Sequence, residues 1–215
     1  MRSIRLLIFD LDGTLVDTLE DITHSVNYTL GKLGRPLLHL DTVRQYVGDG
    51  MTMLLTRALG EHTDLLEDAK GIYMVHQSRN LVVRSRLYPG VKETLEHFRS
   101  LPMAVVTNKT LEFSEPLLEK LGIRPLFGMV IGADAGLPLK PAPDAFQKIM
   151  KGLGIAKEHT AVVGDGTTDI LAGKAAGITT CAVTYGFRSE AELRTARPDH
   201  IIHAFSELKE LFSAG

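Results

Sequence analysis

Six short apolar runs, each too brief for a helix, punctuate the chain: IRLLIF (residues 4–9), MAVVT (103–107), MVIGA (129–133), TAVVG (160–164), TTCAVT (179–184) and a weaker HIIH (200–203). Bounded by turn residues, such runs read as buried strands. Between them lie segments with helical apolar spacing, VKETLEHFRS, LEFSEPLLEKLG, DAFQKIMKGLG and TDILAGKAAG, several closing on glycine as helices often do. Strand and helix in alternation specify an α/β fold, a parallel sheet flanked by helices. The rhythm fails once. From Asp17 to about Arg86 there is no strand pattern, only helical spacing such as Ile22, Val26, Leu30 and Leu33. The break predicts a helical cap, residues 17–86, inserted into a core built from residues 1–16 and 87–215. The Pro89-Gly90 turn of LYPGV marks the return.

At 215 residues and 44% hydrophobic content the chain can bury a sizeable core. A formal net charge of -2 argues against a nucleic-acid surface, which needs a basic excess on one face. No stretch approaches a membrane span, and the first apolar run is too short for a signal peptide. One cysteine, Cys181, excludes a disulfide framework or a cysteine-rich zinc cluster. Its apolar neighbours read as those of a buried core thiol. The expected setting is the cytoplasm, and the expected partner is a small molecule met by a monomer or homodimer.

Ligands of open parallel sheets sit beyond the carboxyl ends of the strands, and right-handed crossovers put those ends on one edge. Four runs deliver polar residues there: Asp10 and Asp12; Thr107, Asn108 and Lys109; Lys140, reached through GADAGLPLK; and Asp165 with Asp169. Carboxylates so crowded call for a cation. An oxygen donor set with no cysteine or paired histidine favours magnesium over zinc. Asp10 and Asp165 are the expected direct ligands, with Asp12 counted in the metal set. Thr14 and Asp169 are expected behind them, Asp169 holding metal-bound water or Lys140. Strand alternation points Asp10 and Asp12 the same way. The pair divides two roles that one carboxylate cannot fill: a nucleophile that attacks phosphorus, and an acid/base that protonates the leaving oxygen and later deprotonates water. The Thr107 hydroxyl and the N–H groups after it are expected to hold phosphoryl oxygens, with Asn108 and Lys109 on the substrate side. Lys140 is expected to neutralise nucleophile and phosphate together. Singly these residues have bland readings: a turn for D-x-D, a loop lysine before Pro141, a helix capped by Thr167 or Thr168. Together and in order they are hard to explain as structure alone.

That ordered set resembles the motifs of the haloacid dehalogenase-like phosphohydrolase superfamily over essentially the whole chain. DLDGTLVD is similar to its first motif, Thr107 in VVTNK to the second, Lys140 in LKPAPDAF to the third and VGDGTTD to the fourth. The resemblance implies a Rossmann-like core with a mobile helical cap, Asp10 as nucleophile and Asp12 as acid/base. Dehalogenases of the superfamily lack the second aspartate and phosphonatases replace it, so Asp12 argues against both activities. A β-phosphoglucomutase-like mutase keeps both aspartates and stays open. Among the phosphatases, TNK, YVGDGMTMLLTRALG, LYPGV and KPAPDAF most resemble phosphoglycolate phosphatases, which implies conversion of 2-phosphoglycolate, a small phosphorylated metabolite, to glycolate and phosphate. A pyrophosphatase, nucleotidase or sugar-phosphate phosphatase would share the same core. Gly166, where relatives commonly carry serine, and Thr110, where many phosphoglycolate phosphatases carry proline, depart from the pattern. Response-regulator receivers, a different class of phospho-switch, also gather aspartates, a threonine and a lysine around magnesium. Against that reading stand Asp12 and a helical insertion of the kind that closes a site against water.

Substrate choice belongs to the cap, because the core meets only the phosphoryl group. Gly48 and Gly50 flank Asp49 in a loop placed to lie over the phosphate or simply to join two helices. Arg57 is the candidate fork for a substrate carboxylate. Arg79, Arg84 and Arg86 read as a solvated flank of the return. Asp17 and Thr18 read as caps of the first inserted helix, with Asp17 near the site.

Overall fold

A computed structural model describes residues 2–214, and all six apolar runs are strands in it. β1 (Arg2–Ile4) pairs in parallel with the C-terminal β10 (Phe212–Ala214), and β3 (Val16–Asp17) pairs antiparallel with β4 (Arg86–Leu87). The central parallel sheet holds β2 (Leu6–Phe9), β5 (Met103–Val106), β6 (Met129–Ile131), β7 (Thr160–Gly164), β8 (Thr179–Val183) and β9 (His200–Ile202), in the order β6-β5-β2-β7-β8-β9. Between β3 and β4 run α1 (Leu19–Lys32), α2 (Leu40–Tyr46), α3 (Met51–Leu59) and α4 (Leu66–Arg79). The remaining helices are α5 (Val91–His97), α6 (Leu111–Lys120), α7 (Asp144–Leu153), α8 (Thr167–Ala176), α9 (Glu190–Thr195) and α10 (Leu208–Leu211).

Helices cover both faces of the sheet, so its strands are apolar on both. Alternation along β2 sends Leu7 and Phe9 into a cluster with Phe205, Val163 and Cys181, and Leu6 and Ile8 into a second with Phe146 and Ile149. Fully burying each such side chain is worth about 1.5–3 kcal/mol. The first cluster continues into the inserted helices through Ile22, Val26 and Leu30, so sheet and insertion share apolar packing. Cys181 is fully buried on β8, a core thiol as expected. Among the described residues, no helix is long and apolar enough to cross a membrane.

Candidate active site

From β2 the chain passes to β5 and β6 on one side, then returns to β7, β8 and β9 on the other. Such a reversal opens a crevice at the carboxyl end of the middle strand. β2 stops at Phe9, and the Asp10 N–H donates to the Val163 carbonyl of β7 (2.9 Å). Thr107 follows β5, with its N–H on the Ile131 carbonyl (3.0 Å), and Asp165 follows β7.

Lys140 is the hub. Its ammonium donates to Asp10 Oδ1 (2.7 Å), Asp169 Oδ1 (2.6 Å) and the Val106 carbonyl (2.7 Å), and the residue is buried. These three bonds use all three ammonium hydrogens. Lys140 thus meets the nucleophile candidate Asp10 directly, as the expectation that it neutralises that group requires. Asp169 also closes the start of α8, accepting from the Gly166 N–H (3.0 Å), so Gly166 occupies the N-cap position and neither Thr167 nor Thr168 does. Asp165 is held by the Thr14 hydroxyl (3.1 Å) and the Phe187 N–H (2.7 Å). It lies so close to Gly13 and Gly186 that a Cβ at either would overlap it, and Gly13 has a φ of 86°.

Asp10, Asp165 and Asp169 each offer an oxygen within 4.8 Å of the others. Burial, then the charge of Asp169, pushes the Asp10 carboxyl up to about 8 against the pull of Lys140. Burial and Asp169 likewise push Asp165 up to about 7, opposed by the Phe187 N–H and the Thr14 hydroxyl. The Asp12 carboxylate departs from the expected metal set. It accepts from Lys109 Nζ (2.9 and 3.0 Å) and from the Thr18 hydroxyl (2.7 Å), outside the acidic cluster. The reason is that the strand ends before Asp10, so the period of two does not govern the next turn. Thr18 stands at the N-cap of α1 but spends its hydroxyl on Asp12, so it makes no side-chain cap. Asp17 pairs with Arg86 across β3 and β4 (3.0 Å).

Two cavities meet over this cluster, both lined by Asp10, Asp12, Val47 and Gly48. One is walled by Ile22, Gly50, Met51, Leu54, Tyr73 and Phe113, with Thr107, Asn108, Lys109 and Thr110 at its core side. The other is polar, with Asp165, Asp169, Arg57 and Arg188. The loop carrying Gly48 and Gly50 thus lies over the carboxylates. Asn108 fastens it, donating from Nδ2 to the Gly48 carbonyl (2.9 Å) and the Lys140 carbonyl (3.1 Å) while Oδ1 accepts from the Lys140 N–H (3.0 Å). The side chain expected to meet substrate is spent on the protein. Thr107 Oγ1 accepts from the Lys109 N–H (3.2 Å). Arg57 lines the polar cavity, with two of its five N–H donors on Asp49 Oδ2 (2.5 Å) and the Tyr46 carbonyl (3.0 Å).

A fifth strand end completes the crevice. After β8 the segment 184–189 brings Phe187 to Asp165, and the Tyr185 hydroxyl to the Thr14 carbonyl (2.9 Å). Arg188 reaches the last turn of α2, donating to the carbonyls of Arg44 (2.9 Å), Gln45 (3.3 Å) and Val47 (2.5 Å). The rule that collected the other four ends applies equally to TTCAVT, so its following residues were within reach of sequence reasoning. Tyr73 had no comparable signal, being one apolar position on an ordinary helix.

The model of the haloacid dehalogenase-like hydrolases matches residues 7–183, and the chain belongs to that family. A phosphoglycolate phosphatase of Nitrosococcus oceani is 35% identical over 221 residues, spanning 99% of this chain and 98% of its own length. One from Vibrio parahaemolyticus is 37% identical, spanning 98% and 96%. A crystal structure described as a predicted phosphoglycolate phosphatase from Haemophilus somnus superposes with a TM-score of 0.94 at 32% identity, covering 98% of this chain and 99% of that one.

Proposed function

We propose that the chain is a magnesium-dependent phosphomonoesterase that converts 2-phosphoglycolate to glycolate and phosphate through an aspartyl phosphate on Asp10. The observation that carries the chemistry is the junction of two differently held aspartates on one cavity: Asp10 beside Lys140, Asp165 and Asp169, and Asp12 against Lys109. The substrate assignment is supported by near full-length relatives named for that activity. Residues 17–86 act in this reading as a cap on a catalytic core of residues 1–16 and 87–215, with paired β3 and β4 as the double crossing between them.

The acidic cluster suits a hard divalent cation. Its donors are all oxygens, and the raised proton affinity of Asp10 and Asp165 marks negative charge that Lys140 alone does not balance. Asp10, Asp165 and Asp169 would hold the ion, which supplies countercharge to the nucleophile and the phosphoryl group. An Asp10 carboxylate oxygen attacks phosphorus as the ester P–O bond breaks, and Asp12 gives its proton to the departing alkoxide. Asp12 then takes a proton from water as that water attacks the aspartyl phosphate, which frees phosphate and restores Asp10. Lys140 favours the ionised form of Asp10 and orients it for attack, and it meets the carboxylate again when the aspartyl phosphate is hydrolysed. The inserted helices exclude bulk water from the acyl phosphate.

The test is phosphate release with and without magnesium from 2-phosphoglycolate, pyrophosphate, a nucleoside monophosphate and a hexose phosphate. A magnesium-dependent preference for 2-phosphoglycolate is expected, with Asp10→Asn slower by about a thousandfold or more. Even, slow hydrolysis of all four would remove the substrate assignment. Retained activity in Asp10→Asn would remove the nucleophile.

A further inference from the structure

On the walls where a substrate's alcohol portion would lie, the apolar cavity offers very little polar chemistry. Ile22, Met51, Leu54 and Phe113 contribute hydrocarbon. On its core side Lys109 Nζ is engaged by both oxygens of Asp12 and the Asn108 amide by Gly48 and Lys140, while the Thr110 hydroxyl is buried without a partner among the described residues. Arg57, the natural candidate for a carboxylate, is held by Asp49 and Tyr46. Tyr73 is the polar side chain that the inserted helices bring to this cavity. It projects from α4 with its ring edge-on to Phe113 (centroids 6.4 Å apart), and the residue is 4% exposed. Its hydroxyl makes no hydrogen bond among the described residues, and it belongs to a side chain lining the cavity that holds Asp10 and Asp12. A phenol donor with no partner in the protein is available to a ligand in that cavity. Burial, and secondarily the charge of Asp12, holds this phenol well above its ordinary range, so it stays a neutral donor.

We infer that Tyr73 is the substrate-reading residue of the inserted helices: its hydroxyl donates a hydrogen bond to an acceptor oxygen, carboxylate or hydroxyl, on the alcohol portion of a small phosphomonoester. This rests on the phosphomonoesterase reading above and adds the chemistry that selects among such esters. A leaving group with one acceptor oxygen on a short carbon unit satisfies both the hydroxyl and the apolar walls. An unsubstituted alkyl phosphate leaves the hydroxyl unpaired.

The experiment compares the full-length chain with Tyr73→Phe on 2-phosphoglycolate, glycerol 2-phosphate and ethyl phosphate, which carry a carboxylate, two hydroxyls and no acceptor respectively. Removing one oxygen should lower kcat/KM for each acceptor-bearing ester relative to ethyl phosphate by about tenfold, mainly through KM. Selectivity lost for only one of the two identifies which oxygen is read. The melting temperature should not fall, since the hydroxyl bonds nothing in the protein. An equal fall on all three esters, or a lowered melting temperature with unchanged selectivity, would assign Tyr73 a packing role and overturn the inference. Failure of the wild-type chain to release phosphate from any of the three would instead overturn the phosphomonoesterase reading itself, and this inference with it.

Discussion

Lys140 sets the electrostatics of the site at the scale of one residue. Breaking a buried ion pair from one side leaves the partner charge stranded, at a cost of about 3–5 kcal/mol. Lys140→Met should therefore destabilise the metal-free protein by about that amount at pH 8, read from urea denaturation, and by less at pH 5, where Asp10 takes up a proton. A loss independent of pH would mean that packing, not charge, dominates. The carboxyls themselves predict a pH dependence. Asp10 and Asp165 bind protons more tightly folded than unfolded, with values of about 8 and about 7 against an ordinary 3.8. Their contribution is thus greatest at low pH and declines as pH rises from about 4 through 8. Lys140 is held above its ordinary range, so its own contribution is constant across that window. The melting temperature of the metal-free protein should fall from pH 5 to pH 8.5, and the increment added by magnesium should grow as protons cease to compete for the same oxygens. A magnesium increment that is flat with pH would remove these carboxylates from the cation site. Of this chemistry, residue identities were legible in the sequence. The division of labour was not: Asp12 against Lys109, and Lys140 against Asp10, Asp169 and the Val106 carbonyl, depend on where a strand stops.

Among the elements, the link between β3 and β4 shows what periodicity reveals and what it conceals. The spacing of Ile22, Val26 and Leu30 announces α1, and all three are buried. Asp21 falls outside that pattern, yet its buried carboxylate accepts from the N–H groups of Val83 (3.0 Å), Arg84 (3.0 and 3.1 Å) and Ser85 (2.8 Å) and from the Ser85 hydroxyl (2.7 Å). It fixes the returning chain beside the departing one. No local sequence signal announces a contact across more than sixty residues. Burial alone would raise the Asp21 carboxyl, but the Ser85 hydroxyl and the three N–H groups outweigh it and hold it below its ordinary range. Its stabilisation is therefore present above about pH 4 and lost on acidification. The neighbouring pairs Arg84–Glu20 (3.2 Å) and Arg86–Asp17 (3.0 Å) have exposed arginines, as expected for a solvated flank, and add little. Asp21→Ala strands the buried N–H and hydroxyl of Ser85 and should cost about 2–4 kcal/mol in urea at pH 7. Arg84→Ala should change stability by less than about 0.5 kcal/mol. Equal costs for the two would mean that the surface pairs, not Asp21, fix the return.

Across the whole molecule, the order of strand and helix was readable because apolar runs and glycine-closed helices are local signals. The relation of the inserted helices to the sheet was not, because it is made by contacts distant in sequence: a shared apolar cluster and polar side chains that span the two. Arg188 is the clearest of them. It leaves the segment after β8 and satisfies carbonyls at the end of α2, where the helix carries partial negative charge. One residue earlier, the Phe187 N–H binds Asp165. A short stretch of backbone therefore joins an acidic ligand candidate to the helix that leads into Val47 and Gly48, over the site. Removing the Arg188 side chain frees the loop without altering any group that touches phosphorus. Arg188→Ala should raise KM by about three- to tenfold with a smaller change in kcat, since fewer molecules have the loop seated when substrate arrives. Proteolytic cutting within residues 44–50 should quicken in the absence of ligand, and Arg188→Lys should restore part of the KM, because an ammonium can still bond a helix end but not three carbonyls as a fork. A fall in kcat with KM unchanged would show instead that the segment acts through Asp165 on the chemical step, and that α2 needs no fastening from the sheet.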